Sequence, residues 1–114
     1  MELSAVRQIL QRHSPLFRRA YIFGSVATGE GDEHSDVDLI VVRETKLPFF
    51  DRVREVFEMV LALAPVDMLI YTEEEIKLLL EEPGRYFLKD IVATGVLVEG
   101  TQSRSTQVAP AGRE

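Results

Sequence analysis

Residues 23–39, FGSVATGEGDEHSDVDL, decide how the chain is read. They have the form of a strand ending at Gly24-Ser25, a tight glycine-bearing turn, an acidic loop, and a second strand that opens with Asp36-Val37-Asp38. Side chains two apart on a strand share a face, so Asp36 and Asp38 project together from Cα atoms roughly 6–7 Å apart. Two hard oxygen ligands at that spacing suit a divalent cation shared with the phosphates of a nucleotide. Gly24-Ser25, just upstream, offers backbone N–H groups and a hydroxyl to the same phosphates. The spacing predicts a metal-and-phosphate site, with the rest of the chain as its support.

The chain has 114 residues, the size of one domain with one core. Its composition, 46% hydrophobic and 28% charged, predicts a soluble globular protein. A net charge of -6 argues against a surface that grips nucleic-acid backbone, which needs clustered Lys and Arg. The same charge leaves room for carboxylates that act as metal ligands. Cysteine is missing, which excludes disulfides and thiolate metal sites. The opening MELSAVRQIL carries an early Glu and no long apolar run, so it does not read as a signal peptide. No stretch approaches the ~18 apolar residues of a membrane span, and the expected location is the cytoplasm.

Outward from the opening stretch, Leu3, Val6, Ile9, Leu10 and His13 have helical spacing over 2–13. Ser14-Pro15 stops that helix, and His13 reads as a helix-end residue rather than a catalytic base. Ala20–Phe23 is a short buried strand, and Asp36–Val42, apolar on both faces beyond Asp38, a central one. Over 49–64 the residues Phe49, Phe50, Val53, Val56, Phe57, Val60, Leu61 and Ala64 predict a helix with these side chains in the core. Arg52, Arg54, Glu55 and Glu58 are expected on its outer side. After Pro65, Val66–Tyr71 reads as a third strand with Asp67 near its start. Thr72 and Glu75 form a capping-box pattern ahead of a helix that turns Ile76, Leu79 and Leu80 inward. Pro83-Gly84 breaks the chain before a helix over 85–94, with Tyr86 or Phe87 inward beside Leu88, Ile91 and Val92. Gly95 stands at its C-cap, and Val96–Val98 is an edge strand. The expected domain is 1–100, followed by a disordered tail over 101–114, TQSRSTQVAPAGRE.

Three glycine-rich motifs compete over residues 24–31. A P-loop needs Lys where this chain has Glu30. A dinucleotide fingerprint needs a third glycine, and Asp32-Glu33-His34 supplies none. A calcium loop starting at Asp32 needs Gly and Glu where Val37 and Arg43 stand. What survives is Gly24-Ser25, then Gly29, then Ser35-Asp36-Val37-Asp38-Leu39, with Asp67 on a separate strand. Ser35 reads as a turn residue bonded to its own loop rather than a nucleophile, and Glu30, Asp32 and Glu33 as a solvated loop.

This constellation closely resembles the minimal nucleotidyltransferases of the polymerase-beta-like superfamily. The resemblance rests on residues of about 18 to 72 and on the element order of the whole ordered part. It implies an α/β (α+β) nucleotidyltransferase fold: a mixed sheet of about four strands with helices mainly on one face. It also implies transfer of a nucleoside monophosphate, AMP from ATP, to an acceptor hydroxyl. In that family Asp36, Asp38 and Asp67 would be the catalytic and metal-binding carboxylates holding Mg2+, with Asp67 on a second metal or on the acceptor's proton. Gly24, Ser25 and Ser35 would bind the nucleotide. One departure is Thr28, where many relatives carry arginine; Arg18, Arg19 and His34 are the cations expected to compensate. Small stand-alone members resemble antitoxins that pair with a helical HEPN-type toxin and adenylylate a toxin tyrosine. The expected partners are such a toxin and a nucleotide triphosphate, without nucleic acid or membrane. Homo- or hetero-oligomers are compatible with this reading. The alternatives are a sequestering, non-catalytic antitoxin module, and a nucleotidyltransferase acting on a small molecule or RNA.

Overall fold

Four apolar runs become the strands of a single sheet. In the computed structural model, which describes residues 1–32 and 34–102, these are β1 (Arg19–Phe23), β2 (Val37–Val42), β3 (Val66–Tyr71) and β4 (Val96–Glu99). The order is β3-β2-β1-β4; β1 runs antiparallel to β2 and β4, and β2 runs parallel to β3. The α+β class and the four-stranded mixed sheet agree with the expectation from sequence. The helices are α1 (Leu3–Arg12), α2 (Gly24–Thr28), α3 (Phe57–Leu63), α4 (Glu73–Glu81) and α5 (Tyr86–Thr94).

Period-two alternation splits the strands between two apolar clusters. On one face Ala20, Ile22, Leu39, Val41, Ile70 and Val98 pack with Val6 and Leu10 of α1, Val26 of α2, and Met59 and Leu63 of α3. This larger cluster is the main core. On the other face Tyr21, Ile40 and Val42 meet Ile76 of α4 and Leu88 and Ile91 of α5, a smaller cluster that leaves part of the sheet uncovered. Among the described residues, no helix is long and apolar enough to cross a membrane.

Local signals govern several boundaries. The Thr72–Glu75 capping box is complete: Glu75 N–H donates to the Thr72 hydroxyl (3.1 Å), and Thr72 N–H donates to the Glu75 carboxylate (2.9 Å). Gly95 ends α5 as expected, but in an extended conformation. Glycine is needed there because a Cβ would stand 2.6 Å from the Ile91 carbonyl. Thr101 and Gln102, expected in the tail, are bound instead: their N–H groups donate to Ser14 and Phe17 carbonyls. The Gln102 side chain also clasps the Glu44 backbone at both its N–H and its carbonyl. The remainder of the proposed tail, 103–114, lies outside the described residues.

The segment 49–64 departs most from expectation. Phe49–Val56 is wound as a 3-10 helix, and only Phe57–Leu63 is α-helical. The tighter winding changes which residues line up, and the buried stripe is Arg52, Val56, Met59 and Leu63. Phe50, Phe57 and Leu61, expected in the core, are 89%, 57% and 62% exposed. Tyr86 and Phe87 are also exposed, so the inward face of α5 is carried by Leu88 and Ile91. Phe57→Glu is therefore expected to change unfolding free energy by no more than about 0.5 kcal/mol, whereas Met59→Ala costs about 2–5 kcal/mol. Urea denaturation of both variants checks this; equal losses would restore Phe57 to the core.

Candidate active site

The sheet register assembles the carboxylates. Parallel pairing of β2 with β3 sets Asp38 directly beside Asp67. Asp36 lies just ahead of β2 rather than on it, at the same end of the sheet and near enough for its charge to act on Asp38. On the other flank, antiparallel pairing sets Phe23 beside Asp38. The chain leaving β1 therefore enters Gly24 alongside the Asp38 carboxylate.

Gly24 is dictated twice over. Its φ is +76°, and a Cβ at this position would stand 2.4 Å from Asp38 Oδ2. The expected tight turn is in fact the single helical turn α2, closed by Gly29 at φ +82°. The Ser25 carbonyl gathers the loop, accepting from the N–H groups of Glu30 and Gly31 (both 3.0 Å) and from the Thr28 hydroxyl (3.2 Å). A Cβ on Gly31 would lie 3.2 Å from both the Ser25 and Ser35 hydroxyl oxygens, so both serines border that glycine. Ser35 is tied to its own loop: its hydroxyl accepts from Asp32 N–H (3.0 Å) and donates to Asp32 Oδ1 (3.3 Å).

The carboxylates are electrostatically crowded. Burial first, and then the charges of Asp67 and Asp36, push the Asp38 carboxyl above its usual range. A bound cation would relieve that repulsion. Three carboxylates are hard donors that suit Mg2+, which uses one or two protein carboxylates and takes its other ligands from phosphate and water. Donor chemistry and crowding thus fit a divalent ion, although among the described residues no three acidic or histidine side chains converge on one point as they stand.

The cations expected to compensate for Thr28 are mostly elsewhere. Arg19 pairs across from Val42, four positions along from the Phe23–Asp38 rung and so about 13 Å away. Its guanidinium grips Glu73 at both oxygens (2.8 and 2.6 Å), and Arg18 lies 3.5 Å from the same carboxylate. Neither reaches the site. His34 does belong to the loop ahead of Asp36, its N–H donating to Asp32 Oδ1 (2.9 Å). His13 is a helix-end residue with Nδ1 2.9 Å from the Ile9 carbonyl. The sequence reading passed over two aromatic side chains: Phe23 stands beside Asp38, and Phe87 meets it edge-on at 5.7 Å. The signal for Phe23 was its place immediately before Gly24.

Comparison with known families decides the class. The family model described as polymerase beta, nucleotidyltransferase matches residues 5–104. The chain belongs to that family. The matched range includes the candidate site residues Gly24, Ser25, Ser35, Asp36, Asp38 and Asp67. Among solved structures, the domain is similar to a Sulfolobus solfataricus protein provisionally assigned as a nucleotidyltransferase, with 28% identity and a TM-score of 0.49. That match covers 66% of this chain and 70% of the other. No curated protein matches.

In this nucleotidyltransferase domain, Gly24→Ala is expected to cost about 1–3 kcal/mol through the left-handed backbone alone, and to displace Asp38 as well. Thermal melts should fall while Gly29→Ala, whose Cβ meets nothing within 4 Å, costs less. Equal losses at the two positions would remove the contact with Asp38 as a cause.

Proposed function

We propose that this domain transfers AMP from ATP to a hydroxyl of a partner protein, a tyrosine of a HEPN-type toxin, and so acts as an antitoxin. The observation that carries the reading is the side-by-side placement of Asp38 and Asp67, with Asp36 at the same end and Gly24 against Asp38. Asp36 and Asp38 would hold Mg2+, which when bound stabilises charge on the α-phosphoryl and the leaving group. Gly24, Ser25 and Ser35 orient the nucleotide's phosphates. Asp67, exposed on an edge strand, accepts the acceptor's proton as its oxygen bonds to the α-phosphorus. The α–β phosphoanhydride bond breaks, and pyrophosphate leaves.

The exposed Phe57 and Leu61, one turn apart on α3, support a protein partner, because neighbouring exposed apolar side chains favour contact with another surface. Intact mass spectrometry of a co-purified partner, incubated with ATP and Mg2+, tests the reading. A gain of one AMP or its multiples is expected with wild type and not with the D36N/D38N chain. A stable complex without any gain would end the catalytic reading.

A second reading is favoured by Thr28 together with the remote placement of Arg18 and Arg19. With fewer cations at the triphosphate, the domain would neutralise its partner by covering it. Partner binding that survives loss of the carboxylates, without transfer, would support that reading.

A further inference from the structure

A cavity of about 270 Å³ lies between the Gly24 turn and α5; Gly24 borders it, while Asp36, Asp38 and Asp67 do not line it. Phe23 and Phe87 form an aromatic wall, and Thr28, Asp90 and Thr94 supply polar atoms on its lining. Phe23 is also the strand partner of Asp38, so this wall and the carboxylates share one end of the sheet. Phe87 is 66% exposed, so its ring is open to a ligand. Thr28 is short and bonded back to the Ser25 carbonyl, which leaves the space open. A larger cavity, about 340 Å³ and lined by Arg12, His13, Arg54 and Phe57, lies away from the carboxylates and has no such neighbour.

We propose that this cavity is the subsite for the nucleobase, a purine stacked on Phe87 with its amino group turned to Asp90. The inference rests on the nucleotidyl-transfer reading and adds to it the residues that would select adenine. A flat aromatic ring has a π-face that matches the phenyl wall, and a carboxylate at the rim accepts from an exocyclic amine while repelling a carbonyl oxygen. Adenine satisfies both requirements. Hypoxanthine, with an oxygen in place of the amine, satisfies only the first.

Calorimetric titration with Mg2+ present, using ATP, ITP and inorganic tripolyphosphate as probes, tests this on wild type and on F87A and D90N chains. Phe87 and Asp90 are exposed, so both variants should fold. Phe87→Ala is expected to weaken ATP about tenfold and leave tripolyphosphate unchanged. Asp90→Asn should shrink the preference for ATP over ITP. If ATP and tripolyphosphate bind and neither variant alters ATP affinity or preference, the subsite is wrong while nucleotidyl transfer stands. If no probe binds wild type, the nucleotidyl-transfer reading fails and takes the subsite with it.

Discussion

Asp38→Asn is expected to abolish the proposed nucleotidyl transfer and to yield a domain that melts above wild type at neutral pH. On the proposed reading Asp38 would hold Mg2+ where the α-phosphoryl reacts, so the loss of activity on removing its charge is expected to be on the order of 10³-fold or more. The gain in stability follows from the register. Asp38 and Asp67 are directly paired across parallel strands, and like charges so placed are destabilising, by about 0.2–1 kcal/mol or a few degrees in Tm. The Asp38 carboxyl is held above its ordinary value of 3.8 by burial and then by Asp67 and Asp36. A group whose pKa is higher in the folded state favours folding fully only below its unfolded value. Its contribution is lost as pH rises through the native one. The melting difference between the two proteins should therefore be largest near pH 7 and close as the pH approaches 3. Scanning calorimetry across that range measures it; a D38N chain less stable at pH 7 would refute the crowding.

Arg52→Ala is the substitution expected to damage the fold most. Arg52 is only 6% exposed. It donates to the Leu47 and Ile70 carbonyls (both 2.9 Å) and meets both Glu75 oxygens (2.6 and 2.9 Å). Its guanidinium also lies 5.6 Å from the Phe49 ring centre. One side chain thus ties the 3-10 segment to the end of β3 and, through the capping box, to the start of α4. Removing one partner of a buried pair costs about 3–5 kcal/mol, and Glu75, 41% exposed, places the loss toward the lower figure. That is a large part of the roughly 5–15 kcal/mol that holds such a domain together.

The same pair sets an acid limit. The Arg52 hydrogen bonds hold the Glu75 carboxyl down to about 2, from an ordinary 4.5. A lowered carboxyl stabilises the fold above its unfolded value, and that share is lost as pH falls from about 4.5 towards 2. Urea denaturation at pH 7 and pH 3 should show wild type losing stability over this interval and the R52A chain losing less. Parallel losses in the two proteins would separate the acid sensitivity from this ion pair.

The strands, the helix ends and the family were legible in the chain because each rests on neighbours in sequence. Alternation and apolar runs specify β1, β2 and β3, Thr72 and Glu75 reach each other within one turn, and Pro65 and Gly95 stand at helix ends. The Gly24-Ser25 to Asp36-x-Asp38 spacing was likewise local, and it is what the family match contains. The 49–64 segment was misread for a physical reason. Its aromatic residues make a more hydrophobic helical stripe than Arg52, Val56, Met59 and Leu63. The 3-10 winding and the waiting Glu75 nevertheless make the second stripe the buried one. Only tertiary structure could reveal that a buried arginine has partners from three elements. Tertiary structure also decided that Arg18 and Arg19 face Glu73 at the far end of β1, and that Phe87 meets Phe23, the strand partner of Asp38. Local patterning determined which elements form. Which side chains meet depended on strand register and helix docking, which couple residues tens of positions apart.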